Sequence, residues 1–217
     1  MFEEIEKTKQ HSALFTILGV FVLLATMVGV AVAAYTWNYT SAKANVIGTG
    51  NISMSFLEST DVISIPDALP TLDSTGMAYG TDKSFDFAVT TSASGAPGNI
   101  TYTLSLEKLA ATSGYNSLAN NQVKLYLTTL TDTDEIQVMA PTLASTILGA
   151  SGSTGTIPFD SGKTSYLTHA HTSTGVSKTT KYRLRMWIDY GVDASGWTTA
   201  TKLEYKLKVN VSGSLVA

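Results

Sequence analysis

Cysteine is absent from all 217 residues. That excludes disulfides, thiol catalysis and every zinc site built on thiolates. Charge is scarce too: Asp, Glu, Lys and Arg make up 14% of the chain, with a formal net charge of −3. A nucleic-acid partner calls for a basic footprint that this composition lacks. Histidine occurs three times and proline five times. No HExxH, Walker A, dinucleotide-binding glycine pattern or GxSxG elbow is present, so the signatures of zinc proteases, nucleotide-binding folds and serine hydrolases are missing. No internal repeat recurs at a fixed period.

What is present first is one uncharged apolar run, Ala13 to Tyr35, ALFTILGVFVLLATMVGVAVAAY. As a helix rising ~1.5 Å per residue it is long enough to cross a ~30 Å hydrocarbon core. Two fates are open. The run exceeds the usual apolar core of a signal peptide, and residues 1–12 mix Glu3, Glu4 and Glu6 with Lys7 and Lys9, which favours an uncleaved anchor. Ala31-Val32-Ala33 before Ala34 is an A-x-A pattern that fits a signal peptidase, which favours release. In either case Lys7 and Lys9 before the run point to N-terminus inside and the remaining chain outside. Ala25, Gly29 and Ala33 share one helix face with the small-xxx-small spacing that lets membrane helices approach closely. The expected division is a cytoplasmic n-region (1–12), a membrane or signal helix (13–35), an extended linker or donor segment (36–50) and an ectodomain (51–217).

Beyond Tyr35 the chain is rich in Ser and Thr, and period-two alternation replaces helical periodicity. Apolar residues alternate with polar ones at Ile52–Phe56, Phe85–Val89, Ile100–Leu106, Val123–Leu127, Tyr182–Ile188 and Leu203–Val211, and Ile157 with Phe159 marks a shorter strand. Turn chemistry separates them at Ser94–Gly98, Ser151–Gly155 and Asp193–Gly196. Pro141–Leu148 has room for one short helix, and Lys163–Ser177 reads as a polar loop. Seven or more strands with short connectors predict an all-β, two-sheet sandwich, jelly-roll-like in class. Its last two strands read as a hairpin, which would place Lys181, Arg183, Arg185, Lys206 and Lys208 on one outward basic face.

Candidate chemistry is thin. His169-Ala170-His171 would put two imidazoles on one face of a strand, a partial zinc pattern, yet the nearest carboxylate in sequence is Asp160 and two exposed loop histidines is the simpler reading. Asp132, Asp134 and Glu135 offer oxygen ligands without an EF-hand pattern. Asn38, Asn51, Asn99 and Asn210 begin N-x-S/T sequons. No catalytic residue, cofactor site or metal site is expected.

The stretch AAYTWNYTSAKANVIGTGNISMSFLEST, Ala33 to Thr60, resembles the start of the TasA/camelysin family of bacterial surface and biofilm-matrix proteins: an apolar leader, the small-small-aromatic junction Ala33-Ala34-Tyr35, a polar segment, and a first strand at Gly48–Met54. Asp82–Phe87 and Ile100–Leu109 are similar to later strands of that family, and Lys181–Gly191 to the closing strands of related surface proteins. The chain departs from the pattern in its acidic n-region and in Thr36-Trp37-Asn38, where the family has an aspartate after the aromatic. The resemblance implies a jelly-roll domain in extracellular fibres whose subunits join by donating an N-terminal strand. Here that segment carries Trp37, Tyr39, Val46 and Ile47. Three functions come into comparison: a non-enzymatic surface or matrix fibre subunit whose partners are copies of itself or wall and matrix components; a membrane-anchored adhesion module for host protein or glycan, using Trp37, Tyr190 and Trp197; and, against the missing motifs, a metal-dependent surface peptidase.

Overall fold

A computed structural model describes residues 36–40, 45–49, 52–58, 63–66, 69–93, 98–197 and 202–216. The apolar run 13–35, its small-residue face Ala25, Gly29 and Ala33, and the junction near Ala33 lie outside the described residues. Among the described residues no helix is long and apolar enough to cross a membrane. The chain divides into two units, Met1–Trp37 and Asn38–Ala217, and the second holds the β-domain.

Fourteen strands are described: β1 (Thr36–Thr40), β2 (Asn45–Thr49), β3 (Ile52–Glu58), β4 (Ile63–Pro66), β5 (Pro70–Thr71), β6 (Ser84–Ala93), β7 (Gly98–Leu109), β8 (Asn116–Ser117), β9 (Val123–Leu130), β10 (Glu135–Leu143), β11 (Thr154–Thr156), β12 (Thr168–His171), β13 (Ser177–Asp189) and β14 (Leu203–Val216). Two short helices, α1 (Asp73–Met77) and α2 (Ala144–Leu148), interrupt them. The strands form two sheets. The first runs β1-β14-β7-β11, with β12 also on β7 and β4 and β8 on β14; the second runs β10-β9-β13-β6-β3-β2, with β5 on β13. The all-β, two-sheet class read from the alternation is the class observed, and α2 falls inside the stretch given room for a helix.

The two long central strands show why the alternation folds this way. On β7, Ile100, Tyr102, Leu104 and Leu106 are buried; on β13, Tyr182, Leu184, Met186 and Ile188 are buried. A strand turns successive side chains to opposite faces, so each set lines one inner face and the sheets close on each other. Phe87 stacks on Tyr182 with ring centroids 5.1 Å apart, and the Tyr182 hydroxyl meets the Tyr102 hydroxyl of the opposite sheet at 2.8 Å. Leu104 sits in this layer with 1% of its surface exposed. Leu104→Ala is therefore expected to cost about 2–5 kcal/mol, read from the urea midpoint at unchanged slope.

Three readings of the sequence are corrected. β13 and β14 are not a hairpin, because β13 lies between β9 and β6 in the second sheet and β14 beside β7 in the first. A connection of twelve or more residues with its own turns lets consecutive strands cross between sheets, and local pattern carries no information about that choice. Lys163–Ser177 is not all loop: it holds β12, antiparallel to β7 with Thr168 opposite Thr101 and His171 opposite Gly98. Ile157 and Phe159 are not a strand; Ile157 is buried in irregular chain, its N–H donating to the Leu104 carbonyl at 2.9 Å, and the strand is the preceding Thr154–Thr156.

Candidate functional site

Two regions stand apart from the solvated strand faces: the outer edges of the sheets and a polar cluster between them.

The edge of β14 is built from register alone. Lys206 and Leu207 pair with Leu109 and Lys108 of β7 and also with Ser64 and Ile63 of β4, so β4 occupies the edge away from β7. β4 covers only Glu204–Leu207, while β14 continues to Val216. The neighbour of β14 on that side is the five-residue β1, of which Asn38–Thr40 belongs to the second unit. β2 ends the other sheet, with Val46 opposite Ser55 and Ile47 opposite Met54 of β3. The segment carrying Trp37, Tyr39, Val46 and Ile47 thus supplies one end strand to each sheet. A strand in such a position is held by one ladder of main-chain bonds, and any other strand can compete for that ladder.

The five cations do not form one face. Lys206 and Lys208 belong to β14 in the first sheet, while Lys181, Arg183 and Arg185 belong to β13 in the second. Arg185 is only 5% exposed. Its guanidinium pairs with Glu135 through Nη1 and, at 3.0 Å, through Nη2, and its Nε donates to the Tyr79 carbonyl at 2.7 Å. Arg183 grips both oxygens of Asp86 at 2.7 Å and reaches Glu135 at 3.4 Å. Arg185 holds the Glu135 carboxyl below the usual range against the opposing effect of burial. The chain segment from β5 through α1 to Tyr79 straps this outer face. Asp73 receives Lys124 at 2.9 Å and the Trp187 indole N–H at 3.2 Å, and Lys124 also reaches Asp189 at 3.0 Å. Trp187 is buried although its parity points outward. Gly76 lies so close over it that a Cβ there would overlap the indole ring.

The histidines are not exposed. His169 and His171 are the two inward residues of β12, 6% and 3% exposed. Both rings converge on one hydroxyl of the opposite sheet: Thr91 Oγ1 is 2.7 Å from His169 Nδ1 and 2.8 Å from His171 Nε2. The outer nitrogens are also bonded, His171 Nδ1 to the Val176 carbonyl at 3.0 Å and His169 Nε2 to the Thr180 hydroxyl at 2.8 Å. These partners fix the proton positions. A carbonyl only accepts, so His171 carries its hydrogen on Nδ1 and its Nε2 accepts from Thr91; the Thr91 oxygen is then free to accept from His169 Nδ1–H, and His169 Nε2 accepts from Thr180. Both rings are held neutral in this relay. Burial lowers His169 to about 4, with the charges of His171 and Lys178 acting in the same sense, and burial lowers His171 as well. Beside them the phenols of Tyr102 and Tyr182 share the Tyr166 carbonyl at 2.8 and 3.0 Å.

Thr91 and Thr180 gave no sequence signal because each sits at an ordinary strand position, and Tyr102 and Tyr182 were legible only as inward residues of β7 and β13. Only the spacing of His169 and His171 signalled the site. Among the described residues no three His, Asp or Glu side chains gather as metal ligands. Asp134 closes the β9–β10 turn through Thr131, while Glu135 turns away to Thr128 and Arg185. The Asn210 amide donates to Glu107 at 3.2 Å.

No protein-family model matches the chain, and no curated protein matches it. Among solved structures it is similar to that of TmCBM61 in complex with beta-1,4-galactotriose, at 11% sequence identity and a TM-score of 0.23, covering 73% of this chain and 86% of that one. That likeness is too distant to bear on ligand or mechanism.

Proposed function

We propose that this chain is a non-enzymatic structural protein of the cell surface or extracellular matrix, a jelly-roll-like domain held outside the membrane by residues 13–35 or released by cleavage near Ala33. In this reading copies of the chain join through the segment 36–50, as the TasA/camelysin resemblance implies. The observation that carries it is the edge of β14. β4 leaves Lys208–Val216 uncovered on that side, and the neighbour there is a strand of five residues drawn from the segment next to the apolar run. Main-chain bonds made to β1 of the same chain are the same bonds that β1 of another copy would make, so exchange costs little beyond association. An added strand gains its affinity from that ladder and its specificity from alternate side chains, here Trp37 and Tyr39.

A second reading, a surface adhesion module, is favoured by one patch. β5 runs parallel to the end of β13 with Thr71 opposite Asp189, and Leu69, Leu72 and Tyr190, which follow or precede these paired residues in the chain, are all exposed.

Two proteins, one beginning at Ala34 and one at Asn51, separate these readings by light scattering after size exclusion and by electron microscopy. The longer is expected to form oligomers or fibres and the shorter to remain monomeric until a Thr36–Thr49 peptide is added. If both stay monomeric at high concentration, or both polymerise equally, assembly through this segment is wrong.

A further inference from the structure

The polar relay between the sheets does more than fill space. It fastens the end of one sheet to the other. β12 is four residues long and meets only Gly98–Thr101 of β7, beyond the stretch of β7 edge where β11 pairs with Ser105–Glu107. Its two outward residues, Thr168 and Ala170, face away from the core, so its side-chain attachment to the second sheet runs through His169 and His171: to Thr91 of β6 and Thr180 of β13. The remaining bond, His171 to Val176, ties down the exposed chain that leads into β13.

We propose that β12 is an acid-released latch: protonation of His169 and His171 breaks the relay through Thr91 and detaches Thr168–His171 from the edge of β7.

The relay takes one proton only by reversing its direction and has no place for a second. A proton on His171 Nε2 makes that nitrogen a donor to Thr91 Oγ1, so the Thr91 hydroxyl must turn to His169 Nδ1, the His169 hydrogen must move to Nε2, and the Thr180 hydroxyl must turn toward Tyr102 to accept it. A second proton, on His169 Nδ1, would then face the Thr91 hydroxyl hydrogen. Two imidazolium rings with centroids 6.5 Å apart would also repel each other, with Lys178 as a third positive charge. The other titratable groups at the cluster are the phenols of Tyr102 and Tyr182, both held protonated by burial. No acidic residue occurs in sequence between Asp160 and Asp189, and no bond joins either ring to a carboxylate among the described residues. Water, reached by opening, is the better solvent for either cation.

The sign is set by linkage. Both rings have lower proton affinity closed than open, so the open form binds more protons and the latch is fully closed only above the free-histidine range near pH 6.5. Its closure is lost as the pH falls from there toward about 4, the folded value of His169. Within that window the opening constant rises up to about tenfold per pH unit for each histidine that titrates on opening. Glu135, whose carboxyl Arg185 holds below the usual carboxylate range, bonds none of these groups and lies on the opposite face of the second sheet. Release uncovers the N–H and C=O groups of Gly98–Thr101, an edge open to pairing.

Hydrogen exchange of the full chain in detergent micelles tests this, followed by mass spectrometry at pH 7, 6, 5 and 4.5 with intrinsic rates corrected. Peptides covering Thr168–Val176 are expected to lose protection below about pH 6 by about tenfold per pH unit where one histidine titrates on opening and up to about a hundredfold where both do, while those covering Val209–Val211 hold theirs. In a His169→Asn/His171→Asn variant the slope should vanish. Protection of β12 that does not change with pH, or an equal slope in the variant, overturns the latch. Side-chain nitrogen resonances of the unmodified chain give a second readout that does not depend on the variant's folding. Neutral Nδ1–H rings are expected for both histidines at pH 7, and an Nε2–H form of His171 or an imidazolium at pH 6 overturns it as well.

Discussion

Trp187→Ala is expected to lower the unfolding free energy by about 3–5 kcal/mol, the range for removing a fully buried aromatic, and to loosen the strap that crosses the outer face of the second sheet. The indole is 1% exposed, lies directly beneath Gly76, and donates to Asp73, whose carboxylate also takes Lys124. One side chain therefore closes a cavity, supports α1 and fixes an ion pair. The coupling is testable without structure determination. Gly76→Ala forces a methyl group into the space of the indole and is expected to cost about 1–3 kcal/mol by overpacking. In the Trp187→Ala background the same change has room and should cost almost nothing. A denaturation cycle over the four proteins measures this directly. Additive costs would mean that α1 does not pack on Trp187.

Arg185→Ala is expected to cost about 3–5 kcal/mol, toward the lower end because Glu135 keeps Arg183 and Thr128 and is partly open to water. Most of that is the penalty of breaking a buried pair rather than the worth of the pair. Arg185→Met with Glu135→Leu removes both charges at similar volume and should recover most of the loss, since apolar replacement of a buried pair is often neutral. Urea midpoints of the single and double variants decide it. A single variant within about 1 kcal/mol of the parent would place this pair among ordinary surface salt bridges.

Both predictions bear on how the domain is braced. With no cysteine it has no covalent brace. Its outer sheet face substitutes a strap pinned by Asp73, Lys124, Trp187 and Arg185 for the disulfide that many secreted domains use. The strap stabilises by burial and charge pairing, both of which can be removed one residue at a time.

How much of this was legible depends on the range of each interaction. Alternation along β6, β7, β9, β13 and β14 is a property of each strand alone, so Phe85, Tyr102, Leu125, Leu184 and Val209 were correctly read as core. A strand that puts one face in water must alternate, and a chain made of such strands must pair two sheets. The sequence by itself therefore determined the class of fold and its inner faces. The absent cysteines and catalytic patterns also narrowed what was expected of it.

What only the tertiary structure decided is where side chains from distant positions meet. The outward parity of Arg185 and Trp187 predicted solvent, and a strap from over a hundred residues earlier covers both. β13 and β14 are consecutive in sequence yet lie in different sheets, because a long connection costs little more than a short one and leaves the pairing to the core. His169 and His171 were read as loop residues because four residues among polar neighbours give too short a pattern to announce a strand. Their partners Thr91 and Thr180 stand on β6 and β13 with nothing in their local sequence to mark them. A hydrogen bond between sheets depends on register and on which strand lies opposite, and both are fixed only when the whole chain has packed.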